Sequence, residues 1–332
     1  MERRNSTILG IDLGGTKILS AVIDQEGRII ARDHSVTPAQ LGPEAVIGAV
    51  IESVHSCLDQ ISLPVESLEA IGVGAPGPSN PETGILFTSP NLPGWLNVPI
   101  RDIIRDAFKI DTFLINDANA AAVGEHMYGA GKGTNHFIYV TVSTGIGGGV
   151  IIDGRLLTGA IGTAGELGHM VIDHNGPPCH CGNRGCWETL ASGTALARFA
   201  RERIRDGSRT SLLDHAAGNI QEITAKTVQE AAAAGDNLAK ELIEQTGYFL
   251  GVGLTNLVNI FNPEVIAIGG GVALIGDMLF APAFDVVKTR AFRSSCEAVR
   301  FVPAALGRNS GVIGSAAHAL RRIRDTSSFS CK

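Results

Sequence analysis

Two segments of the chain, 129 residues apart, share one pattern of apolar and small residues. Aligning Ile11–Asp24 with Val140–Asp153 needs no gap, and each copy has an apolar strand, a turn of small residues and a second apolar strand. The turns are Gly14–Thr16 in the first copy and Ser143–Gly145 in the second. This repeat predicts two duplicated domains that face each other, with the two turns on opposite sides of one cleft.

Strands and helices are predicted to alternate along the rest of the chain. Apolar residues at helical spacing predict helices over 46–58, 118–128, 195–204, 227–234, 237–261 and 311–323. Between them lie strand-like runs such as "LEAIGVGA", "DTFLIND" and "EVIAIGGGV". This order is typical of an α/β fold. The chain of 332 residues is long enough for two domains. We expect a small N-terminal domain over 1–117, joined by the C-terminal helix at about 311–325, and a large domain over 118–310.

Charge and hydropathy argue against two classes of partner. The formal net charge is -6, and no stripe of lysine and arginine marks a nucleic-acid surface. No apolar run approaches the roughly 20 residues that span a membrane. Met1–Thr7 is too short and too polar for a signal peptide. We therefore expect a cytoplasmic protein that binds neither nucleic acid nor membrane.

Glycine-rich turns end three of the predicted strands. Backbone N–H groups of such turns can converge on a phosphate, and only small residues let the phosphate approach. The first turn lies in Asp12–Lys17, which adds a carboxylate for a metal ion, a hydroxyl and a cation. Three consecutive glycines at 147–149 weaken a strand, so they predict the close approach of another group. With a third turn at Gly269–Gly271, the set favours a nucleotide over plain hairpin turns.

A fourth glycine pattern is interpreted differently. Gly72–Gly77 matches G-x-G-x-x-G after a strand, but a dinucleotide fold requires a helix to begin there. Pro76, Pro78 and Pro81 oppose a helix, so the segment predicts a rigid loop. The P-loop pattern is absent from the sequence.

Asn116 and Asp117 stand where a predicted strand ends and an alanine-rich helix begins. Asp117 at such a position can simply cap the helix. The ends of strands are also where α/β proteins bind ligands, and Asn116 shares that position. Asp117 is therefore a candidate general base, with the capping role left open.

Three of the six cysteines lie within eight positions, in the loop 169–188. With His169, the thiols of Cys179, Cys181 and Cys186 form a Cys3His set, which is a standard ligand set for structural zinc. The alternatives are other ligands at His174 or His180, a disulfide, or a reactive C-x-C pair. A reducing compartment favours the metal. One structural zinc ion per chain would hold the nearby polar residues in fixed positions.

Several motifs together resemble the ROK (repressor, open reading frame, kinase) family. They occur in the family's order, over about Ile8 to Leu320. They are Asp12-Leu13-Gly14-Gly15-Thr16-Lys17, Pro90-Asn91-Leu92, Asn116-Asp117-Ala118-Asn119, Ser143-Thr144-Gly145-x-Gly147-Gly148-Gly149, Glu166-x-Gly168-His169 and Cys179-x-Cys181-Gly182-x-x-Gly185-Cys186-x-Glu188. The resemblance implies an actin-like, hexokinase-like (ribonuclease H-like) fold of two α/β domains, which agrees with the repeat.

The resemblance also implies a role for each matched residue in the ATP-dependent phosphorylation of a hexose, glucose in particular, at its 6-hydroxyl. Asp117 resembles the family's catalytic base. The implied sugar ligands are Asn91, Asn116, Asp117, Glu166, His169 and Glu188, with Gly77 and Pro78 on a loop over the sugar. The implied nucleotide contacts are Gly14, Gly15, Thr16, Lys17, Thr144, Gly145, Gly270 and Gly271, with Asp12 acting on Mg²⁺ through water.

Other activities and states remain open on the sequence alone. N-acetylglucosamine, N-acetylmannosamine, mannose and fructose kinases share most of these motifs, and polyphosphate is a possible donor. A phosphohydrolase and a zinc-containing sugar-sensing regulator without activity are alternatives of other classes. The family's repressors carry a DNA-binding segment before the first turn, where this sequence has only Met1–Leu9. A homodimer or homotetramer is expected by analogy.

Overall fold

The computed structural model describes residues 7–89 and 91–329, so the expectations for residues 1–6 and for Pro90 lie outside it. The strands are β1 Thr7–Leu13, β2 Lys17–Ile23, β3 Ile29–Val36, β4 Leu68–Ala75, β5 Ser79–Asn80, β6 Ile85–Thr88, β7 Leu96–Val98, β8 Thr112–Asn116, β9 Phe137–Val142, β10 Ile146–Ile152, β11 Arg155–Leu156, β12 Val265–Gly269 and β13 Arg300–Pro303. The α helices are α1 Pro43–Asp59, α2 Ile100–Phe108, α3 Asp117–Tyr128, α4 Trp187–Ala191, α5 Gly193–Arg205, α6 Leu212–His215, α7 Ala225–Ala233, α8 Asn237–Phe261, α9 Asp277–Arg290, α10 Arg293–Ala298 and α11 Ser310–Phe329. None of these helices combines the length and apolar character needed to cross a lipid bilayer.

The first sheet has the strand order β3-β2-β1-β4-β8. β1 pairs antiparallel with β2, and β4 runs parallel to both β1 and β8. Successive side chains of a strand point to opposite faces, so Leu9 and Ile11 pack with α1 and α2 while Ile8 packs with α11. Both faces of the sheet are therefore covered, which explains the almost continuous apolar run of β1.

The second sheet repeats this plan. Its order is β11-β10-β9-β12-β13, and β12 runs parallel to both β9 and β13. β2 and β10 correspond residue for residue at the offset of 129. The duplicated strand plan that the sequence repeat predicted is confirmed.

A small third sheet, β5-β6-β7, was not predicted, and neither were α2, α9 and α10. Strands of two to four residues are too short to show a periodic pattern. α9 contains Pro282, a residue that usually argues against a helix interior.

The chain forms two compact units. Unit 1 comprises the described parts of Met1–Asn135, Gly149–Gly165 and Ala304–Lys332, and unit 2 comprises His136–Gly148 and Glu166–Pro303. This division differs from the expected boundary at 117/118, because α3 packs on α11 inside unit 1. A Cβ on Gly124 would lie 2.8 Å from the carbonyl oxygen of Ser310, so the two helices approach too closely for a side chain there.

Packing also accounts for the glycines at 72 and 74. A Cβ on Gly72 would collide with the carbonyl oxygen of Ser315, and one on Gly74 would lie 2.5 Å from the Ser315 hydroxyl. The two glycines thus let α11 lie directly on β4. After β4 the described chain continues into β5 without a helix, so the interpretation of this segment as a loop rather than a dinucleotide motif is confirmed.

Candidate active site

The turn between β1 and β2 in unit 1 is fixed by its own backbone and by Thr37. The N–H of Gly14 donates to the carbonyl oxygen of Lys17 at 2.9 Å, and the Thr37 hydroxyl donates to the carbonyl oxygen of Gly14 at 2.7 Å. A Cβ on Gly15 would lie 2.6 Å from both Cβ and the carbonyl oxygen of Asn91. The structure therefore brings the predicted phosphate turn and the predicted sugar ligand Asn91 together, while Thr16 stays exposed.

Asp12 is at the end of β1, beside this turn. A Cβ on Gly311 would lie 2.7 Å from its Oδ2, so α11 begins close against the carboxylate. Burial raises the pKa of the Asp12 carboxyl, and the positive charge of Lys17 partly opposes that rise. A cation beside this carboxylate would oppose the rise further, which suits the proposed role toward Mg²⁺.

Asn116 and Asp117 sit at the junction of β8 and α3 in unit 1. The side-chain oxygen of Asn116 accepts from the N–H groups of Ala118 at 3.0 Å and Asn119 at 3.1 Å, so Asn116 is the N-cap residue. Its side-chain nitrogen lies 3.5 Å from the carbonyl oxygen of Gly77. The capping role thus falls on Asn116, and Asp117 is the first residue of the helix.

Asp117 is half-buried, and one carboxylate oxygen, Oδ1, accepts from the N–H of Ala118 at 2.8 Å. The positive end of the α3 dipole favours the ionised carboxylate at this position. A general base must be ionised and held in one orientation before it can accept a proton. A carboxylate on the first turn of a helix is suited to both conditions.

The corresponding turn of unit 2 is fixed by the start of α5. The N–H of Gly193 donates to the carbonyl oxygen of Ser143 at 2.8 Å, and the Thr194 hydroxyl donates to that of Thr144 at 2.7 Å. A Cβ on Gly145 would lie 2.6 Å from Oε2 of Glu188. The turn of unit 2 therefore adjoins a predicted sugar ligand, just as the turn of unit 1 adjoins Asn91.

Protein packing explains two of the three glycines that follow this turn. A Cβ on Gly148 would collide with the carbonyl oxygen of Tyr139, and one on Gly149 would lie 2.5 Å from Cβ of Ala122. The close approach that the sequence predicted is real, but neighbouring protein atoms make it rather than a ligand.

The turn after β12 differs in its two predicted contact residues. Gly270 has a φ of +93°, and a Cβ there would collide with the carbonyl oxygen of Val142. Gly271 is exposed, and a Cβ on it would meet no atom of the described chain within 4 Å. Gly270 is thus required for the backbone of the turn, and Gly271 leaves open space beside it.

The Cys3His set predicted from sequence is assembled in unit 2. The ligand atoms of His169, Cys179, Cys181 and Cys186 all lie within 4.8 Å of one another. Cys179 Sγ lies 3.6 Å from His169 Nδ1, and Cys181 Sγ lies 3.6 Å from Cys186 Sγ. Thiolates around a tetrahedral zinc ion, with Zn–S of about 2.3 Å, are about 3.8 Å apart. The four donors therefore fit zinc, and the rival histidines His174 and His180 are exposed and outside the group.

The free thiols have unequal acidities. Burial, followed by the neighbouring sulfur atoms, raises the pKa of Cys186 to about 12. Burial also raises the pKa of Cys179, whereas the N–H of Asn183 lowers the pKa of Cys181. All three groups can be thiolates at once only beside a cation, because their negative charges otherwise repel one another.

The metal-ligand group contacts the predicted sugar ligands directly. Oε1 of Glu188 lies 3.4 Å from Cys179 Sγ and 3.6 Å from His169 Nδ1. Glu166 is exposed, and its carbonyl oxygen accepts from the N–H of His169 at 3.1 Å. A metal at the four donors would therefore fix the positions of Glu188 and His169.

Trp187 is a structural residue of this site that sequence reasoning missed. Its side chain is fully buried, and its indole N–H donates to the carbonyl oxygen of Phe249 at 3.0 Å. Gly253 of α8 has no side chain because a Cβ there would collide with the indole ring. The position of Trp187 between Cys186 and Glu188, in a chain with two tryptophans, was the available signal.

The two large sheets share one strand order, and in each of them the turn between the first two strands adjoins polar side chains. This arrangement defines a protein of the actin-like, hexokinase-like fold class. The chain belongs to the ROK family, whose model matches residues 8–322.

Similar proteins include both enzymes and a regulator. A glucokinase of Thermotoga maritima is 37% identical over 316 residues, which cover 95% of this chain and 98% of the relative. The crystal structure of a ROK family glucokinase from Streptomyces griseus, in complex with glucose and AMPPNP, has a TM-score of 0.81 and 33% identity, covering 95% of this chain and 100% of that one. A xylose repressor of Bacillus spizizenii is 32% identical over 96% of this chain and 78% of the relative.

Proposed function

We propose that the protein is a glucokinase that transfers the γ-phosphoryl group of ATP to the 6-hydroxyl of glucose, with Asp117 as the general base. The observation that carries this proposal is the position of Asp117 at the start of α3. Its carboxylate accepts from the Ala118 N–H, and Asn116, rather than Asp117, is the N-cap residue of the helix. The similarity to a glucokinase bound to glucose and AMPPNP supports the choice of substrates.

Phosphoryl transfer through a loose transition state needs little covalent participation by the protein. The proposed nucleotide residues are Asp12, Gly14, Gly15, Thr16 and Lys17 of unit 1 and Thr144, Gly145, Gly270 and Gly271 of unit 2. In this scheme the backbone N–H groups of the turns hold the phosphates, Asp117 orients the sugar hydroxyl, and Asp117 accepts its proton late in the reaction. Mg²⁺, with Asp12 as its proposed partner, would supply neutralisation of the phosphate charge.

Zinc is proposed to be structural in this enzyme. His169, Cys179, Cys181 and Cys186 supply four ligands, which closes a tetrahedral site and leaves no position for a reacting water. Its role is to orient His169 and Glu188 toward the sugar. Outer residues that orient or extend a metal site often matter nearly as much as the ligands themselves.

The proposed sugar ligands are almost all polar: Asn91, Asn116, Asp117, Glu166, His169 and Glu188, with the loop at Gly77 beside them. Such a set can serve every ring hydroxyl of an unsubstituted hexose. A site built to pair hydroxyl groups rejects an analogue that leaves its polar groups unpaired. An N-acetyl group at C2 would require an apolar niche for its methyl group. Glucose is therefore preferred over the N-acetylated sugars in this proposal.

The test is an assay of ATP consumption with and without sugars. kcat/KM is measured for glucose, mannose, fructose, N-acetylglucosamine and N-acetylmannosamine at saturating Mg-ATP. The proposal expects consumption only with a sugar, and the highest value for glucose. A higher value for an N-acetylated sugar contradicts glucose but keeps the kinase. ATP consumption without sugar indicates a phosphohydrolase, and none under any condition indicates a regulator like the xylose repressor relative.

Two further properties belong to the same proposal. A site of reduced thiolates is suited to a reducing compartment, so we place the enzyme in the cytoplasm. We also expect a homodimer or homotetramer, which the molar mass from light scattering tests directly.

A further inference from the structure

A buried carboxylate of unit 1, that of Glu125, has no role in the reaction as described so far. Glu125 lies on α3, eight residues after Asp117, and its side chain is fully buried. Burying a charged group costs free energy unless hydrogen bonds or opposite charges replace the lost water. The groups that compensate Glu125 therefore show what this carboxylate holds in place.

Three backbone N–H groups donate to the Glu125 carboxylate. Oε2 accepts from Ala130 and from Ala305, each at 3.0 Å, and Oε1 accepts from Leu306 at 2.8 Å. The Ser310 hydroxyl lies 3.2 Å from Oε1. Ala305 is 180 residues away from Glu125 in the chain. The carboxylate thus ties the end of α3 to a segment that is distant in sequence.

The segment that carries these donors leads into α11. The chain returns to unit 1 at Ala304, and α11 begins at Ser310. The Ser310 hydroxyl donates to the carbonyl oxygen of Gly307 at 2.7 Å, which closes a tight turn just before the helix. The Glu125 carboxylate, in contact with both ends of this short segment, therefore sets the position at which α11 begins.

The first turn of α11 lies directly against the end of β1. A Cβ on Gly10 would collide with the carbonyl oxygen of Val312. A Cβ on Gly311 would lie 2.7 Å from Oδ2 and 2.8 Å from Cγ of Asp12. Interiors packed this closely transmit a displacement instead of absorbing it. A shift of the first turn of α11 therefore moves the Asp12 carboxylate.

The helix that carries Glu125 also carries the proposed general base. α3 runs from Asp117 to Tyr128, so Asp117 is at its first residue and Glu125 is in its last turn. Phosphoryl transfer depends on holding the attacking hydroxyl and the phosphate in line, and a misplacement of about 1 Å can cost about a hundredfold in rate. Glu125 connects the helix of the base to the helix that abuts Asp12.

We propose that Glu125 is a positioning residue for phosphoryl transfer. Its carboxylate fixes the start of α11 against α3 and thereby sets the place of Asp12 relative to Asp117. This inference rests on the proposed kinase function, in which Asp12 acts on Mg²⁺ and Asp117 accepts the proton of the sugar hydroxyl. Glu125 itself is buried and acts through Asp12.

The first experiment measures amide hydrogen exchange of the full-length protein without ligands. Glu125→Gln replaces one carboxylate oxygen by an NH₂ group, which cannot accept from an N–H. At least one of the amides of Ala305 and Leu306 should then exchange about tenfold faster or more than in the unaltered protein. The matched control is Leu320→Ala, which removes buried packing from the same helix and leaves the partners of Glu125 intact. Equal exchange of these amides in the two variants overturns the proposal.

The second experiment is steady-state kinetics of the same two variants with glucose and ATP. Glu125→Gln should raise the Mg²⁺ concentration for half-maximal rate about tenfold and lower kcat about tenfold, because Asp12 is displaced. KM for glucose should stay within about twofold, because the proposed sugar ligands are not in contact with the start of α11. Loss of folded protein alone, as in Leu320→Ala, lowers the apparent kcat but leaves both half-saturating concentrations unchanged. The same behaviour in Glu125→Gln would show that its role is only structural.

A milder variant covers the case in which Glu125→Gln does not fold. Ser310→Ala removes the hydroxyl beside Oε1 and its bond to Gly307, and alanine is well suited to the helix that begins there. It should raise the half-saturating Mg²⁺ concentration in the same direction, by about threefold, again without a change in KM for glucose. An unchanged dependence on Mg²⁺ in Ser310→Ala, with Glu125→Gln unfolded, counts against the proposal.

Failure of this inference and failure of the kinase proposal give different results. If the unaltered protein consumes no ATP with any sugar, the kinase proposal is wrong and the positioning role falls with it, while hydrogen exchange still shows whether Glu125 fixes the start of α11. If the unaltered protein is an active glucokinase and Glu125→Gln behaves like Leu320→Ala, the positioning role is wrong and the kinase proposal stands.

Discussion

The two sheets share a strand order but differ in what connects their strands. In the first sheet, β3 has eight residues and leads to β4 through one long helix, α1, and two short 3₁₀ turns. In the second, β11 has two residues, and the connection to β12 contains the Cys3His group and helices α4 to α8. Function in a shared fold lies in such connections rather than in the strands.

The polar groups beside the two turns are consequently held by different means. In unit 1, Asn91 lies against the backbone of the turn at Gly15, and the N-cap of α3 holds Asn116 and Asp117 in place. In unit 2, His169 is a member of the metal-ligand group, and Glu188 contacts that group through Cys179. We expect changes in unit 1 to act on chemistry and stability, and changes in unit 2 to act on sugar affinity through the metal. Four experiments test this contrast.

The largest expected effect is at Asp117. Asp117→Asn should lower kcat by at least about a hundredfold while glucose still binds, because the amide cannot accept the proton of the sugar hydroxyl. Steady-state kinetics and calorimetric titration with glucose measure the two quantities. Asp111→Asn, an exposed carboxylate before β8, is the control and should retain full activity. Near-normal turnover of the Asp117 variant would remove the catalytic basis of the contrast.

The second effect concerns the metal. Cys181→Ser should lose zinc and raise KM for glucose about ten- to a hundredfold, because Glu188 and His169 would lose their support. Elemental analysis and kinetics provide the measurements, and Cys296→Ser, outside the group, is the control. Fully active protein that contains no zinc would contradict the assignment of unit 2 as metal-organised.

The third effect is a dependence on pH in unit 1. Burial, followed by the charges of Arg322 and Arg321, lowers the pKa of His318 to about 4, against the opposing charge of Glu82. The unfolded chain then binds a proton before the folded protein does, so stability is complete above about pH 6.5 and is lost as the pH falls toward 4.

Between pH 7 and pH 5 this histidine should cost about 2 kcal/mol of the free energy of unfolding. Urea unfolding at both pH values tests it in the unaltered protein and in His318→Gln. The variant should lose about 2 kcal/mol less over that interval, and acid effects at the zinc thiolates cancel in the difference. Identical losses in the two proteins would show that His318 is not the acid-sensitive group of unit 1.

The smallest effect compares the two turns directly. A Cβ at position 15 meets the backbone of Asn91, whereas a Cβ at position 145 meets the flexible end of Glu188. Gly15→Ala should therefore destabilise the protein by about 1–3 kcal/mol. Gly145→Ala should cost less than about 1 kcal/mol but raise KM for glucose by moving the Glu188 carboxylate. Thermal melts measure the stability of both variants, and steady-state kinetics measure their KM for glucose. A larger loss of stability in Gly145→Ala than in Gly15→Ala would refute the contrast between the two turns.

Many of the strands and helices were predictable from the sequence, because the residue patterns that produce them are local. The hairpins at Thr7–Ile23 and Phe137–Ile152 follow from apolar runs that are interrupted by small residues, and α8 was predicted at its observed bounds, Asn237–Phe261. The Cys3His group was predictable because three of its ligands lie within eight positions, in a loop whose glycines at 182 and 185 adopt positive φ.

The tertiary structure decided the features that depend on residues far apart in the chain. The glycines at 148 and 149 were predicted to allow a close approach and those at 72 and 74 to lie in a rigid loop, but only the fold shows which segments of the chain pack against all four. The extent of unit 1 depends on the packing of α3 against α11. A group of basic side chains likewise forms only in the fold, where Lys17 of β2, Arg32 and His34 of β3 and Arg308 line one cavity. A sequence encodes a turn or a ligand cluster through neighbouring residues, whereas close packing and charge clustering arise only when the fold brings distant segments together.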